Sequence, residues 1–294
     1  MTDQADYRAH PYRSADGTLE LFARDYPPPG PGRNGLPLLM MHGLTRNSAD
    51  FGPLAAHLAG TRRMVVPDQR GRGLSDHDPD AANYRPDVYV QDMWALLDGL
   101  DIERAVLIGT SMGGLMAMIM GATRPDRIVG IVLNDIGPAV SKEGLDRIQG
   151  YVGGTAPMAN WQEAADRCAS INGDALDGFG EADWLGFAHR TCTELPDGRV
   201  AFAYDPAIAT AMNGDDAAAV PPDLWPMWDM LAGIPALVIR GGHSDILSSG
   251  TVDEMARRHP DNFAAVDIPG RGHAPILDEP AALAAIAGFL AEHG

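Results

Sequence analysis

The chain has 294 residues, of which 45% are apolar and 21% charged. That suits one large α/β domain or a core with an inserted subdomain, and it excludes a disordered chain. The net charge of −18 argues against nucleic acid and anionic membrane as partners.

Met1 to Arg13 is polar and lacks the apolar stretch of a signal peptide, and no run reaches the length of a membrane span. The expectation is therefore a cytoplasmic protein with no membrane partner and a small-molecule substrate. Nothing in the sequence fixes its oligomeric state. Two cysteines, Cys168 and Cys192, are expected as reduced thiols and make neither a disulfide framework nor a metal site.

Leu19 to Asp25 has the two-residue period of a strand, and Pro27 to Gly32 reads as a turn. Leu36 to Met41 is continuously apolar, as a buried parallel strand is, and runs into His42-Gly43-Leu44-Thr45. A short helix is expected over 49–60. A strand over Arg63 to Pro67 follows, closed by Asp68-Gln69-Arg70-Gly71-Arg72-Gly73-Leu74-Ser75. Pro86 opens a helix whose Met93, Leu96, Leu97 and Leu100 form one apolar face. The run Arg104 to Ile108 is a strand, Gly109-Thr110-Ser111-Met112-Gly113 a tight turn, and the stretch to Thr123 a helix. Ile128 to Leu133 is a further strand, ending in Asn134-Asp135.

From Pro138 to about Met230 the alternation stops. Glycines are frequent there, and Trp161, Trp184, Trp225 and Trp228 all fall in this stretch. It reads as a mostly helical insertion. Strands resume at Ile234 to Ile239 and Phe263 to Ile268, and a helix carrying Leu283, Ile286, Ala287 and Leu290 on one face closes the chain. Alternating helices and apolar strands predict a mostly parallel sheet covered on both faces. The core is expected over 1–137 and 231–294, with a mostly helical insertion over 138–230.

Gly-x-Ser-x-Gly between a strand and a helix is the pattern of a nucleophile elbow, with Ser111 at its apex. A serine hydroxyl needs a base, and the base needs an orienting acid. His273, in the glycine-rich loop after the last strand, is the candidate base. Asp245, after the penultimate strand, is the candidate acid, because the order Ser111, Asp245, His273 is the one this arrangement uses. Asp135 is the rival acid, with a turn or helix cap as its structural alternative. Charge on the reacting carbonyl oxygen calls for waiting donors. The amides of Met112 and Leu44 are the candidates for that oxyanion hole. No cofactor or metal is called for by this chemistry.

Together these residues resemble the α/β-hydrolase superfamily. The likeness rests on Gly109-Thr110-Ser111-Met112-Gly113-Gly114, His42-Gly43-Leu44, Asp68-x-Arg70-Gly71-x-Gly73-x-Ser75, Arg240-Gly241-x-x-Ser244-Asp245 and Gly272-His273. The resemblance implies the α/β-hydrolase fold, with residues 138–230 as a cap over the site. It also implies a structural role for the Asp68 turn, where Asp68 and Arg70 are expected to pair. A serine nucleophile excludes the branches that use aspartate, the dehalogenases and epoxide hydrolases. The elbow is similar to those of carboxylesterases, enol-lactonases, cofactor-free haloperoxidases and C–C hydrolases alike.

The leading expectation is hydrolysis of a small ester or lactone. A C–C hydrolase of an aromatic ring-cleavage product and a non-catalytic small-molecule receptor are the alternatives. The tryptophans of the insertion, with Tyr151 and Met158, are candidate pocket walls or else cap core. Arg46 and Asn47 are read as solvated loop residues, with contact to a polar substrate group as the alternative.

Overall fold

The computed structural model describes residues 6–27, 30, 35–153, 156–213 and 223–294. Most of the expected Pro27 to Gly32 turn lies outside these residues, as do 154–155 and 214–222 of the expected insertion.

Eight strands form the main sheet: β1 (Arg8–Arg13), β2 (Glu20–Tyr26), β3 (Leu38–Met41), β4 (Met64–Asp68), β5 (Ala105–Thr110), β6 (Ile128–Asn134), β9 (Ala236–Gly241) and β10 (Phe263–Ile268). Their order is β1-β2-β4-β3-β5-β6-β9-β10. β2 runs antiparallel to β1 and β4, and every other pairing is parallel. The parallel strands therefore all end at one edge, and their following loops gather there. β1 escapes the sequence reading because its residues are mostly exposed and polar, so it carries no apolar period.

The continuous apolar runs follow from cover on both faces. Leu39, Met41, Leu107, Leu133 and Val238 bury on one side, with α2 (Pro86–Gly99) and α3 (Met112–Thr123). Leu38, Met40, Val106, Ile108, Val132 and Leu237 bury on the other, with α1 (Gly52–Leu58) and α10 (Pro280–His293). α9 (Ser249–Arg258) sends Met255 into the first of these clusters.

Between β6 and β9 lie α4 (Lys142–Tyr151), α5 (Trp161–Asn172), α6 (Glu181–Thr191), α7 (Ile208–Asn213) and α8 (Trp225–Met230). A small antiparallel pair, β7 (Cys192–Glu194) and β8 (Val200–Phe202), interrupts the helices. Met158, Ala164, Cys168, Phe187, Ala188, Cys192 and Val200 form a buried cluster of this segment's own. α8 departs from that pattern. Its Trp228 is fully buried, stacks on His259 at 4.1 Å and donates its indole N–H to Met255 O at 3.3 Å. It packs on the sheet side, against α9 and β10.

Candidate active site

Ser111 sits between β5 and α3 with φ 51° and ψ −113°, a backbone conformation that side-chain-bearing residues rarely adopt. Its surroundings hold it there. A Cβ on Gly109 would lie 2.2 Å from Gly113 O, and one on Gly113 would lie 2.0 Å from Met41 O. No side chain fits either place, so the flanking glycines are a steric necessity. The Ser111 amide donates to Asn134 O at 2.9 Å, while its carbonyl accepts from Gly114 and Leu115 at 2.9 and 3.0 Å.

His273 follows β10. Its Nε2 is 2.8 Å from Ser111 Oγ and its Nδ1 is 2.8 Å from Asp135 Oδ2. The carboxylate can only accept, so Nδ1 carries the proton and Nε2 faces the serine hydroxyl as an acceptor. Asp135, just past β6, is fully buried. Its Oδ1 accepts from the Gly241 amide at 2.7 Å, and its Oδ2 also accepts from Ser244 Oγ at 2.6 Å. The buried charge thus has three donors around it, which is what burial of a carboxylate requires.

The acid expected from chain order is a different residue. Asp245 makes a two-pronged ion pair with Arg147 of α4, at 2.5 and 2.9 Å, and its side chain is 39% exposed. Burial pushes its carboxyl upward, but the Arg147 bond and charge, with a smaller pull from His273, outweigh this and hold it below the ordinary carboxylate value. The physical reason for the exchange is adjacency. β6 and β9 are neighbours in the sheet, so their end loops converge on the same histidine. The loop after β9 still supports the buried carboxylate, through Gly241 N and Ser244 Oγ, but the oxygen beside His273 Nδ1 is Asp135 Oδ2.

The expected oxyanion loop follows β3. The Arg46 amide closes a turn on Gly43 O at 3.2 Å, and Gly43 O also faces His42 Nδ1 at 2.7 Å. The Gln69 amide donates to His42 Nε2 at 3.2 Å, which leaves the imidazole proton on Nδ1. Burial drives the His42 pKa down to about 3, against the smaller opposing pull of the Gly43 bond, so the ring stays neutral. Leu44 lines the cavity beside Ser111. Met112 opens α3, where an amide has no acceptor within its own helix.

Arg72 is the contributor that sequence reading missed. It is fully buried and donates from Nε to Leu44 O at 2.9 Å and from Nη1 to Arg70 O and Tyr89 Oη at 2.8 and 2.9 Å. It ties the loop after β3 to the turn after β4. A second arginine between two glycines of positive φ, Gly71 at 75° and Gly73 at 56°, was its one visible signal. The expected pairing of Asp68 with Arg70 does not form. Asp68 accepts from the Ser48 and Leu74 amides at 2.6 and 2.9 Å. Arg70 instead forks onto Asp92 of α2, at 2.8 Å twice, and reaches Asp78 at 2.6 Å. A carboxylate in mid-helix gave no motif by which to foresee this.

Ser111 and His273 open on a cavity of about 100 Å³. Ile148, Tyr151, Leu176, Phe187, Phe202 and Tyr204 supply its apolar wall. Of the aromatic candidates only Tyr151 reaches it. Trp161 packs on His189, Trp184 on Phe179 and Phe187, and Trp225 under Arg258, while Met158 lies in the insertion's own cluster. Cys168 and Cys192 are free, buried thiols. Among the described residues no group of three or more His, Cys, Asp or Glu side chains converges in a metal-ligating cluster, and no helix is long and apolar enough to cross a membrane.

Residues 37–280 match the family described as the alpha/beta hydrolase fold. The chain belongs to the α/β-hydrolase family. The hydrolase is 33% identical to a 3-hydroxybutyrate-oligomer hydrolase of Cupriavidus necator, over 84% of this chain and 85% of that one. It is 29% identical to the esterase YbfF of Escherichia coli, over 87% and 94% of the two chains. A solved α/β hydrolase from Novosphingobium aromaticivorans superposes with a TM-score of 0.91 at 44% identity, covering 98% of this chain and 99% of that one. The protein is a serine hydrolase of this fold.

Proposed function

We propose that the hydrolase cleaves small carboxylic esters through an acyl-enzyme on Ser111, with His273 as the proton carrier and Asp135 as the orienting acid. The observation that carries this reading is the unbroken relay at 2.8 Å on each side of the imidazole. His273 Nε2 takes the hydroxyl proton as Ser111 Oγ attacks the ester carbonyl. The resulting imidazolium is stabilised by Asp135, whose other oxygen and lone pairs are already engaged by Gly241 and Ser244. The amides of Met112 and Leu44 hold the oxyanion, a contribution typically of about 10²–10³ in rate per donor. The proton then passes to the leaving alkoxide, the alcohol departs, and water repeats the sequence in reverse to free the acid.

Of the expected cap over 138–230, α4 and the segment from α5 to β8 take that part on this reading, since they supply most of the cavity's apolar wall, whereas α8 packs on the sheet. Free cysteines are in keeping with a cytoplasmic setting. Esters are preferred over other bonds because the relative at 33% identity is named for oligoester hydrolysis. A short lactone presents the same carbonyl to the same residues.

The test is turnover of p-nitrophenyl acetate and a simple lactone by the purified protein, with Ser111→Ala as the blank. Loss of about 10⁴-fold or more in kcat is expected for the variant. Full activity in Ser111→Ala would sink the mechanism. Turnover also separates the enzyme from a receptor on the same fold. Faster cleavage of a dienoate ring-cleavage product than of any ester would favour the C–C hydrolase instead.

A further inference from the structure

Among the described residues that line the cavity, Arg46 is the only permanent cation and Asp50 the only carboxylate. The place of Arg46 in a loop predicts a solvated side chain, with contact to a polar substrate group as the alternative, yet that side chain is only 16% exposed. Its position is set by the turn that forms the oxyanion loop, through the bond from its amide to Gly43 O. The stem passes directly over that loop. A Cβ added to Gly43 would lie 3.7 Å from Arg46 Cγ and 3.8 Å from Ser111 Cβ.

The head group is held but not satisfied. Its Cζ stacks 3.9 Å above the centre of the Phe187 ring, and Nη2 donates to Asp50. The Nε–H is buried and has no acceptor. An unmet donor on a charged group is expensive to bury, and a planar guanidinium fixed by stacking has its remaining donors oriented in advance. A second guanidinium, Arg190, lies close by, 5.9 Å from the same ring. Burial lowers its pKa, and the like charge of Arg46 adds to this against the pull of Asp50, Asp278 and Asp183. Two cations thus share Asp50 as a neighbouring carboxylate.

A brace between Arg46 and Asp50, four residues apart, is the plainer account. It explains the Nη2 bond. It does not explain why the stem lies against Gly43 at the cavity wall with a buried Nε–H left without an acceptor.

We propose that Arg46 is a carboxylate subsite of this cavity, so that the substrate cleaved at Ser111 carries a free carboxylate a few atoms from its scissile carbonyl. Half-esters of short dicarboxylic acids, and short esters that end in a free acid, are the class that fits. The proposal rests on the ester reading for its bond but not for its binding site. Charge-assisted contact with the carboxylate adds affinity that a methyl group in its place cannot.

The test compares p-nitrophenyl hemisuccinate with p-nitrophenyl butyrate, which differ by a carboxylate in place of a methyl. The wild-type protein prefers the hemisuccinate. Arg46→Met keeps an unbranched stem over Gly43 and lowers the ratio of the two kcat/KM values by about tenfold or more, mainly through KM. Arg46→Lys recovers part of the ratio. Asp50→Asn frees the guanidinium from its competitor and raises the ratio, where a mere brace predicts no gain. Equal ratios in wild type, Arg46→Met and Asp50→Asn overturn the proposal.

A readout without turnover keeps the two readings apart. Succinamate and butyramide are compared as protectants of Ser111 against a neutral fluorophosphonate. Better protection by succinamate that disappears in Arg46→Met supports the subsite even if neither ester is hydrolysed, in which case the ester reading alone falls. Ester turnover with no difference in protection or in ratio sinks the subsite and leaves the ester reading standing.

Discussion

The loops after β6 and β9 end side by side at the same edge of the sheet, and each carries an aspartate that chain order allows as the acid. Their surroundings separate them. Asp135 is fully buried, with Gly241 N, Ser244 Oγ and His273 Nδ1 on its oxygens. Asp245 is two-fifths exposed and is taken up by Arg147 of α4. Depth decides the work each does. A buried carboxylate aimed at an imidazole stabilises a developing charge that water does not screen. An exposed one joined to an arginine is screened and tethers the insertion to the core.

Four substitutions break or sharpen that contrast. The largest effect belongs to Asp135→Asn, which is expected to lower kcat by about 10⁴-fold because the amide favours the wrong imidazole tautomer. Asp245→Asn is expected to stay within about threefold of wild type, as an exposed ion pair outside the relay does. Steady-state kinetics on one ester read both, and the reverse ranking would return the acid to the loop after β9.

The next effect concerns stability. Asp92 and Arg70 are a buried pair, each 1% exposed, whereas Arg147 and Asp245 lie near the surface. Asp92→Ala leaves a buried guanidinium short of a partner and should cost about 3 kcal/mol in urea unfolding. Arg147→Met should cost less than about 1 kcal/mol. Similar costs would mean that burial does not divide these carboxylates as argued.

The smallest effect is the pH dependence carried by Asp245. Its folded pKa is depressed, so its contribution is present above the unfolded carboxyl value of about 3.9 and is lost as pH falls through the lower folded value. At this exposure it amounts to a few tenths of a kcal/mol. Melting curves of wild type and Asp245→Asn should therefore differ above pH 4 and converge in stronger acid. A difference that grew on acidification would contradict the sign.

Much of this candidate site is legible in the sequence. Ser111 announces itself because the elbow needs Gly109 and Gly113 for steric reasons that a sequence records, and His273 announces itself by its place after the last strand. The strands of the core were legible for a similar reason, since burial on both faces leaves unbroken apolar runs such as Leu38 to Met41. β1 left no such trace, being an edge strand with polar residues on both sides.

Local chemistry therefore determined the fold class and singled out the candidate nucleophile, the candidate base and the loop that follows β3. Those features depend on residues within a few positions of one another, where backbone sterics and periodicity act. What only the tertiary structure decided were pairings across the chain: Asp135 rather than Asp245 against His273, Asp92 rather than Asp68 against Arg70, and Arg46 against Phe187 at the cavity wall. Each turns on which of several correctly typed side chains is nearest and driest. That is set by strand adjacency and by how the insertion packs over the sheet, and neither quantity is written in local sequence.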